Sequence, residues 1–386
     1  MAERRRTSES VTEGHPDKVC DQLSDRILDA ILARDKYARV SCDALVTRGL
    51  VIVSGEVSTK SYVDITGEVR GALRDIGYTD PCLSFDYQSC AVISMFEEQP
   101  AELAVAVDRK GAGDQGMIIG YATDEARGLP LQAELLPVPI VLAHALARRL
   151  AEVRRNGEVP YLFPDGKAQI TVRSVDGATK AVEHVVLCAH HRADAPLESV
   201  RAALTETVAR HVLAPTGLLT KDTVIDVNPA GPFTRGGPQG DVGLTGRKYA
   251  VDTYGIDARH GGSSLSGKDP TKTDRAAAYM ARYAAKNVVA AGLAHRCEIE
   301  LAYVIGRAEP VSLEIESFGT ASVPDEALRA AVTRVFDFST AGMIEALDLR
   351  RPIYAATSVY GHFGRPEMPW ERTDRISALR DAIGRG

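Results

Sequence analysis

Two strand-like runs, "AQITVRS" (168–174) and "EHVVLC" (183–188), follow one another with no helical pattern between them. Both are rich in β-branched residues, and apolar and polar positions mostly alternate, as on a half-buried strand. The same character recurs in "LVIVSGEVS" (50–58), "CAVISMF" (90–96), "CEIELAYVI" (297–305) and "VSLEIES" (311–317). Helical patterns lie among them. Val19, Leu23, Ile27 and Ile31 repeat every four residues, and Ala276 to Leu293 carries another apolar stripe. Strands and helices therefore mix without a regular strand–helix–strand alternation. That predicts an α+β fold, sheets covered by helices on one side, over a doubly wound parallel sheet. The three thirds of the chain share this rhythm without a residue-level repeat.

Glycine- and proline-rich breaks divide the thirds: "RKGAGDQG" (109–116) and "NPAGPFTRGGPQGD" (228–241). Such stretches are linkers or site-forming loops, and their charged residues favour loops. The expected domains are 7–108, 109–231 and 232–374. Residues 1–6 and 375–386 are expected as tails, the first of them frayed and solvated.

Composition narrows the class. A hydrophobic fraction of 45% and a charged fraction of 25% over 386 residues suit a globular protein with sizeable cores. A net charge of −6 and no basic stripe argue against nucleic acid as the main partner. No apolar run approaches the ~20 residues of a membrane helix, and none follows the N-terminal arginines as a secretory signal requires. The 6 cysteines never form C-x-x-C, which favours reduced thiols in a cytoplasmic protein over a disulfide or zinc framework.

Four stretches could carry chemistry. In "RHGGSSLSGKDPTKTDR" (259–275), Gly262 to Lys268 satisfies G-x-x-x-x-G-K, the spacing by which backbone N–H groups approach phosphate oxygens. The next residue is Asp269, where a nucleotide-hydrolysing phosphate loop needs a serine or threonine hydroxyl for Mg²⁺. A different polyphosphate site fits better, since Lys268, Lys272, Arg247 and Lys248 gather positive charge and Asp274 offers a hard oxygen. A glycine-rich surface turn is the alternative. In "SVTEGHPDKVCDQLSDRIL" (10–28), Pro16 suits a first helical position and Asp17 the first turn. His15 would then stand at an anion-binding helix N-terminus, with Asp17 as a metal ligand. Asp21, Asp25 and Asp29 follow at four-residue spacing, as expected of a solvated face. "GAGDQG" (111–116) either offers Asp114 to an ammonium group or turns the chain; "PDGKAQI" (164–170) puts Asp165 and Lys167 in a turn. Glu56, inside an apolar strand, is expected on an exposed edge.

Taken together, the chain resembles the S-adenosylmethionine synthetase (methionine adenosyltransferase) family. The matching pieces, in the family's order, are "EGHPDKVCDQLSD" (13–25), "GAGDQG" with "GYATDE" (120–125), "NPAGPF" (228–233) and "GGPQGDVGLTGRKYAVDTYG" (236–255). Then come "HGG" (260–262) with "SGKDPTKTDR" (266–275), "AKNVVAAGLA" (285–294), "YGHFG" (360–364) and "PWERTD" (369–374). Any one alone is weak; the ordered set, from about residue 8 to 374, is specific.

The resemblance implies three similarly built domains in a pseudo-threefold arrangement, each a mixed sheet covered by helices. It implies a homodimer with active sites at the subunit interface, often a dimer of dimers. The implied reaction joins ATP and L-methionine: sulfur displaces the whole triphosphate from the ribose 5′ carbon, and the triphosphate is then hydrolysed to pyrophosphate and phosphate. His15 would sit at the breaking bond, and Asp17 and Asp274 would bind Mg²⁺, two ions per site. Lys167, Arg247, Lys248, Lys268 and Ser264 would meet the polyphosphate. Phe233 would stack on adenine, with Asp165 at the nucleotide. Glu56, Gln99, Asp114 and Asp241 would hold methionine, with Asp241 also reaching the nucleoside, Lys272 nearby and Ile305 as an apolar wall.

The departures from the family pattern are local. Asp43 stands where a glutamate potassium ligand is usual, one methylene shorter. After "QPAELAVAVDR" (99–109), which matches a mobile gate, several residues usual before "GAGDQG" are missing. Pro232, Arg235 and Ser263-Ser264-Leu265 replace other residues at the site's edge. These changes suit a specialised relative with altered tolerance for methionine analogues. A non-catalytic nucleotide-binding regulatory relative is a further alternative, as is an ATP phosphohydrolase using the cradle alone.

Overall fold

The computed structural model describes residues 3–98 and 111–384. Its strands are β1 (Glu3–Val11), β2 (Arg39–Thr47), β3 (Leu50–Ser58), β4 (Ala91–Glu97), β5 (Gly116–Thr123), β6 (Leu162–Val175), β7 (Ala178–His191), β8 (Val224–Val227), β9 (Gly243–Leu244), β10 (Arg296–Tyr303) and β11 (Ser312–Glu316). They form three sheets, ordered β4-β3-β2-β9, β1-β6-β7-β8 and β11-β10-β5. The first two mix parallel and antiparallel pairs, and the third is antiparallel throughout. This is a three-part α+β fold.

Each sheet contains one strand from another third of the chain. β1 joins the sheet of β6, β7 and β8; β5 joins β10 and β11; β9 completes the sheet of β2, β3 and β4. One long helix rests on each borrowed strand. Helix α1 (Pro16–Leu32) packs on β2 and β9, α3 (Val138–Arg155) on β1 and β6, and α4 (Thr273–Ala290) on β5 and β10. Two of these contacts need glycine. A Cβ on Gly120 of β5 would fall 2.2 Å from the Ala281 carbonyl carbon, and one on Gly243 of β9 would fall 2.1 Å from the Pro16 carbonyl oxygen. Val19, Leu23, Ile27 and Ile31 of α1 are buried as their spacing predicts, in a core shared with α2 (Ile65–Ile76) and α4. A second core lies between α3 and the faces of β6 and β7.

Over their described residues, both expected tails are regular structure. Residues 3–6 belong to β1, which pairs with β6 from Glu3↔Val175 to Val11↔Lys167. Arg6 is only 7% exposed and is held by Glu125 at 2.7 Å and Asp257 at 2.8 Å. Two carboxylates offset the cost of burying its charge, so a polar run becomes a strand. Residues 376–384 form helix α5 (Ile376–Gly384), with Leu379 fully buried.

Candidate functional site

The aspartates of α1 do not form a solvated face. Asp17 accepts the N–H of Leu244 at 3.1 Å, Asp21 that of Gly246 at 2.8 Å, and Asp25 that of Gly267 at 2.8 Å. Asp29 accepts from Tyr354 and Ala355 at 3.1 and 2.8 Å. Asp21 and Asp25 are fully buried. Their charges are met by Lys18 at 2.8 Å and by both guanidinium nitrogens of Arg275 at 2.6 and 2.9 Å. Charge-assisted bonds of this kind are the strong ones. The four-residue period thus fastens the glycine-rich loops around 244–246 and 267 to one helix.

Where α1 begins, the loops enclose a cavity of about 280 Å³ lined by His15, Asp165, Lys167, Cys188, Phe233, Arg235 and Asp241, among others. His15 is the N-cap and Pro16 follows as the first helical residue. The His15 Nδ1 accepts the Asp17 N–H at 3.2 Å. In the neutral ring that leaves the proton on Nε2. Burial, then the Lys248 and Lys167 charges, pull the His15 pKa down to about 3, so the ring is neutral at physiological pH. Asp17 pairs with Lys248 at 2.5 Å. Burial opposes its ionisation, but Lys248 and the Leu244 amide prevail and keep its pKa below the usual value. Burial pushes Asp165 up to about 6, against the Gly237 N–H that it accepts at 2.7 Å. Asp241 is exposed, Lys167 lies 3.6 Å from Glu9, and Arg247 is exposed.

Phe233 rests on a histidine that sequence reasoning missed. The ring of His190 lies 5.4 Å from Phe233 and 4.7 Å from Phe163. Its Nε2 accepts the Gly236 N–H at 3.3 Å, and burial pulls its pKa down to about 4. Both histidines of "CAHHR" (188–192) are buried, and nothing in the run marks which of them packs its ring near Phe233.

The second cluster does not line that cavity. Lys268 pairs with Asp274 at 2.7 Å, and the Ser263 hydroxyl contacts both. Ser264 packs beside Gly246. Asp269 is fully buried, accepts the Val40 N–H at 2.7 Å and pairs with Lys272 at 2.5 Å. The residue that replaces a phosphate loop's hydroxyl therefore anchors the loop to β2. Asp43 is exposed on β2, within the field of Lys268.

Two more candidates face outward. Asp114 is exposed and among the described residues accepts only its neighbour's N–H, at 2.7 Å, and Ile305 is 51% exposed. Glu56 is not on an edge: β3 lies between β4 and β2, with Glu56 opposite Ser41 and beside Glu97. It is half-buried because its flank of the sheet is only partly covered. Gln99 and the gate-like stretch 99–109 lie outside the described residues.

The donor set fits a magnesium ion held partly by substrate. Among the described residues no three His, Cys, Asp or Glu side chains cluster as a metal cage. Asp17 and Asp274 instead each present one carboxylate, already holding a cation in the form of a lysine ammonium. Mg²⁺ commonly takes one or two carboxylates and fills its shell with phosphate oxygens and water. No helix among the described residues is long and apolar enough to cross a membrane.

Comparison with known proteins places the whole chain. The N-terminal, central and C-terminal domain models of S-adenosylmethionine synthetase match residues 3–101, 109–233 and 235–372. The S-adenosylmethionine synthase of Desulforudis audaxviator (strain MP104C) is 52% identical over 398 residues, covering 99% of each chain. Those of two strains of Thermus thermophilus are each 52% identical over 393 residues, covering 98% of each chain. The chain belongs to the S-adenosylmethionine synthetase family.

Proposed function

We propose that in this methionine adenosyltransferase the cavity at the start of α1 receives the nucleoside and the 5′ carbon of ATP. The observation that carries this reading is the neutral, capping His15 between Asp17–Lys248 and Lys167. Its Nε2–H is left free to donate to the bridging oxygen of the departing triphosphate. A thioether needs no general base, so the chain's task is to hold sulfur in line with the 5′ carbon and to meet the growing negative charge. Positioning of that kind is worth roughly 7–11 kcal/mol, and preorganised charge adds to it. Phe233, backed by His190, offers a face for the adenine. Lys167, Arg247, Lys248 and Lys268 carry the positive charge for the polyphosphate, with Ser264 beside them. Glu56, Gln99, Asp114, Asp241, Lys272 and Ile305 form the methionine side.

The family is generally metal-dependent. Asp17 and Asp274 are the residues that would hold Mg²⁺, which when bound neutralises charge on the triphosphate oxygens. Asp43 stands where the family's usual glutamate would hold potassium, and its side chain, one methylene shorter, puts potassium dependence in question.

We further propose that a second copy completes the site. The Lys268–Asp274 cluster does not line the His15 cavity. Apolar side chains also stand exposed on outer strands: Met95 is 62% exposed, Met117 62% and Ile93 43%. The test is to mix two inactive variants, Lys167→Ala and Lys268→Ala, after partial unfolding and reassembly. A site shared between subunits regains one intact copy per mixed dimer, and S-adenosylmethionine formation reappears. Continued inactivity of verified mixed dimers would mean that each chain carries its whole site.

A further inference from the structure

A second cavity, of about 600 Å³, holds none of the candidate substrate or metal residues. Its lining is apolar at Ala151, Ala356, Val359 and the ring of Tyr360, and charged at Glu13, Glu152, Arg148, Arg155 and Arg365. The acidic groups there are already committed. Glu13 is bound by Arg154 and Arg155 at 2.7 Å each and by the Tyr360 hydroxyl, and Glu152 pairs with Arg149 at 3.2 Å. No carboxylate among the described residues pairs with Arg148 or Arg365. Arg148 lies 5.4 Å above the Tyr360 ring, and Arg365 donates to the carbonyls of Gly361 and Val359. Burial, and then the Arg148 charge, make Arg365 easier to deprotonate than an ordinary guanidinium, and the field of Glu367 offsets this only in part. Arg365 is half-buried and Arg148 exposed, and neither has a carboxylate partner among the described residues, so an anion in the cavity would meet two uncommitted guanidiniums.

We infer that this cavity binds a tetrahedral phosphate dianion, free or as a phosphate ester, between Arg148 and Arg365. Guanidinium forks match phosphate oxygens in geometry as well as charge. The apolar side chains of Ala151, Ala356 and Val359 give the body of an ester a place to lie. The two cavities share no lining residue, yet Glu13 of this one stands two residues before His15 of the other.

The test is calorimetric titration of the full chain with inorganic phosphate and, separately, with phenyl phosphate, at low salt. Lys167→Gln serves as a control for binding in the other cavity. Saturable binding is expected that Lys167→Gln leaves unchanged and that Arg148→Gln weakens about tenfold, the scale of one charge-assisted hydrogen bond. Equal affinity for the two probes identifies a free oxyanion as the natural class, and preference for phenyl phosphate identifies an ester. Absence of saturable binding, or an affinity unmoved by Arg148→Gln, overturns the assignment. Should Arg148→Gln not fold, Glu152→Gln decides it: tighter binding supports the site and unchanged affinity overturns it.

Discussion

Two sets of carboxylate–cation pairs lie close together in this protein and are built to different ends. On the buried side of α1, Asp25 grips Arg275 through two nitrogens and also takes the Gly267 N–H; both side chains are sealed from water. At the loop surfaces, Asp17 holds Lys248 and Asp274 holds Lys268, and both lysines keep some exposure, 16% and 18%. Arginine in a planar fork fixes geometry, whereas a lysine is a mobile point charge. The sealed pairs organise the loops; the open pairs can exchange partners when a triphosphate and its metal arrive.

The largest expected effect tests the sealed set. Asp25→Ala leaves Arg275 buried without its partner, which should cost about 3–5 kcal/mol. A urea titration checks this, and an unchanged midpoint would remove the distinction. Lys268→Ala should do the reverse. It should lower kcat by about 10²–10³, as loss of one preorganised charge does, with the unfolding midpoint little changed. Steady-state kinetics beside the same urea titration separates the two behaviours.

Acid should act on the buried histidines. His144 and His190 are 6% and 1% exposed, with pKa values pulled, chiefly by burial, to about 3 and 4. The unfolded chain protonates them below about 6.5, so stability is intact above that pH and falls as pH drops towards 4, by about 1.4 kcal/mol per unit for each. Asp165 has the opposite sign. Raised to about 6, it favours the folded state at low pH and loses that contribution as pH rises from about 4 to 6. Unfolding midpoints at pH 7 and 5 should therefore differ, and His190→Phe should shrink the difference. The smallest effect concerns potassium. Asp43→Glu should raise the ratio of turnover with and without K⁺, and an identical ratio would mean that the shorter acid serves equally well.

Much of this was legible in the sequence. "LVIVSGEVS" is β3 residue for residue, and Pro16 opens α1 as its chemistry predicts. Here local pattern and structure obey the same periodicity. The aspartate column was not legible, because a carboxylate every fourth residue reads the same whether it faces water or amides. The deciding information lies in loops more than two hundred residues away, at Leu244, Gly246 and Gly267. β1 was missed for a related reason: "ERRRTSESV" has no apolar alternation, and it is a strand because β6 pairs with it and two acids neutralise Arg6. Among the candidate residues, His15, Asp165, Lys167, Phe233 and Asp241 meet in one cavity. His190 gave no signal, since a histidine packed under an aromatic ring follows no spacing rule.

The exchange of strands among the thirds bears on how the chain is made. At the ribosome, β1 emerges first but must remain unpaired until β6 has been synthesised, and the sheet begun by β2 and β3 gains its last strand only with Gly243 and Leu244. Pairings so distant in sequence form slowly and leave strand edges open to other chains in the meantime. No single third can be excised with its sheet intact, so a nascent chain halted before residue 244 should be a customer for chaperones, while the finished chain folds as one interlocked unit.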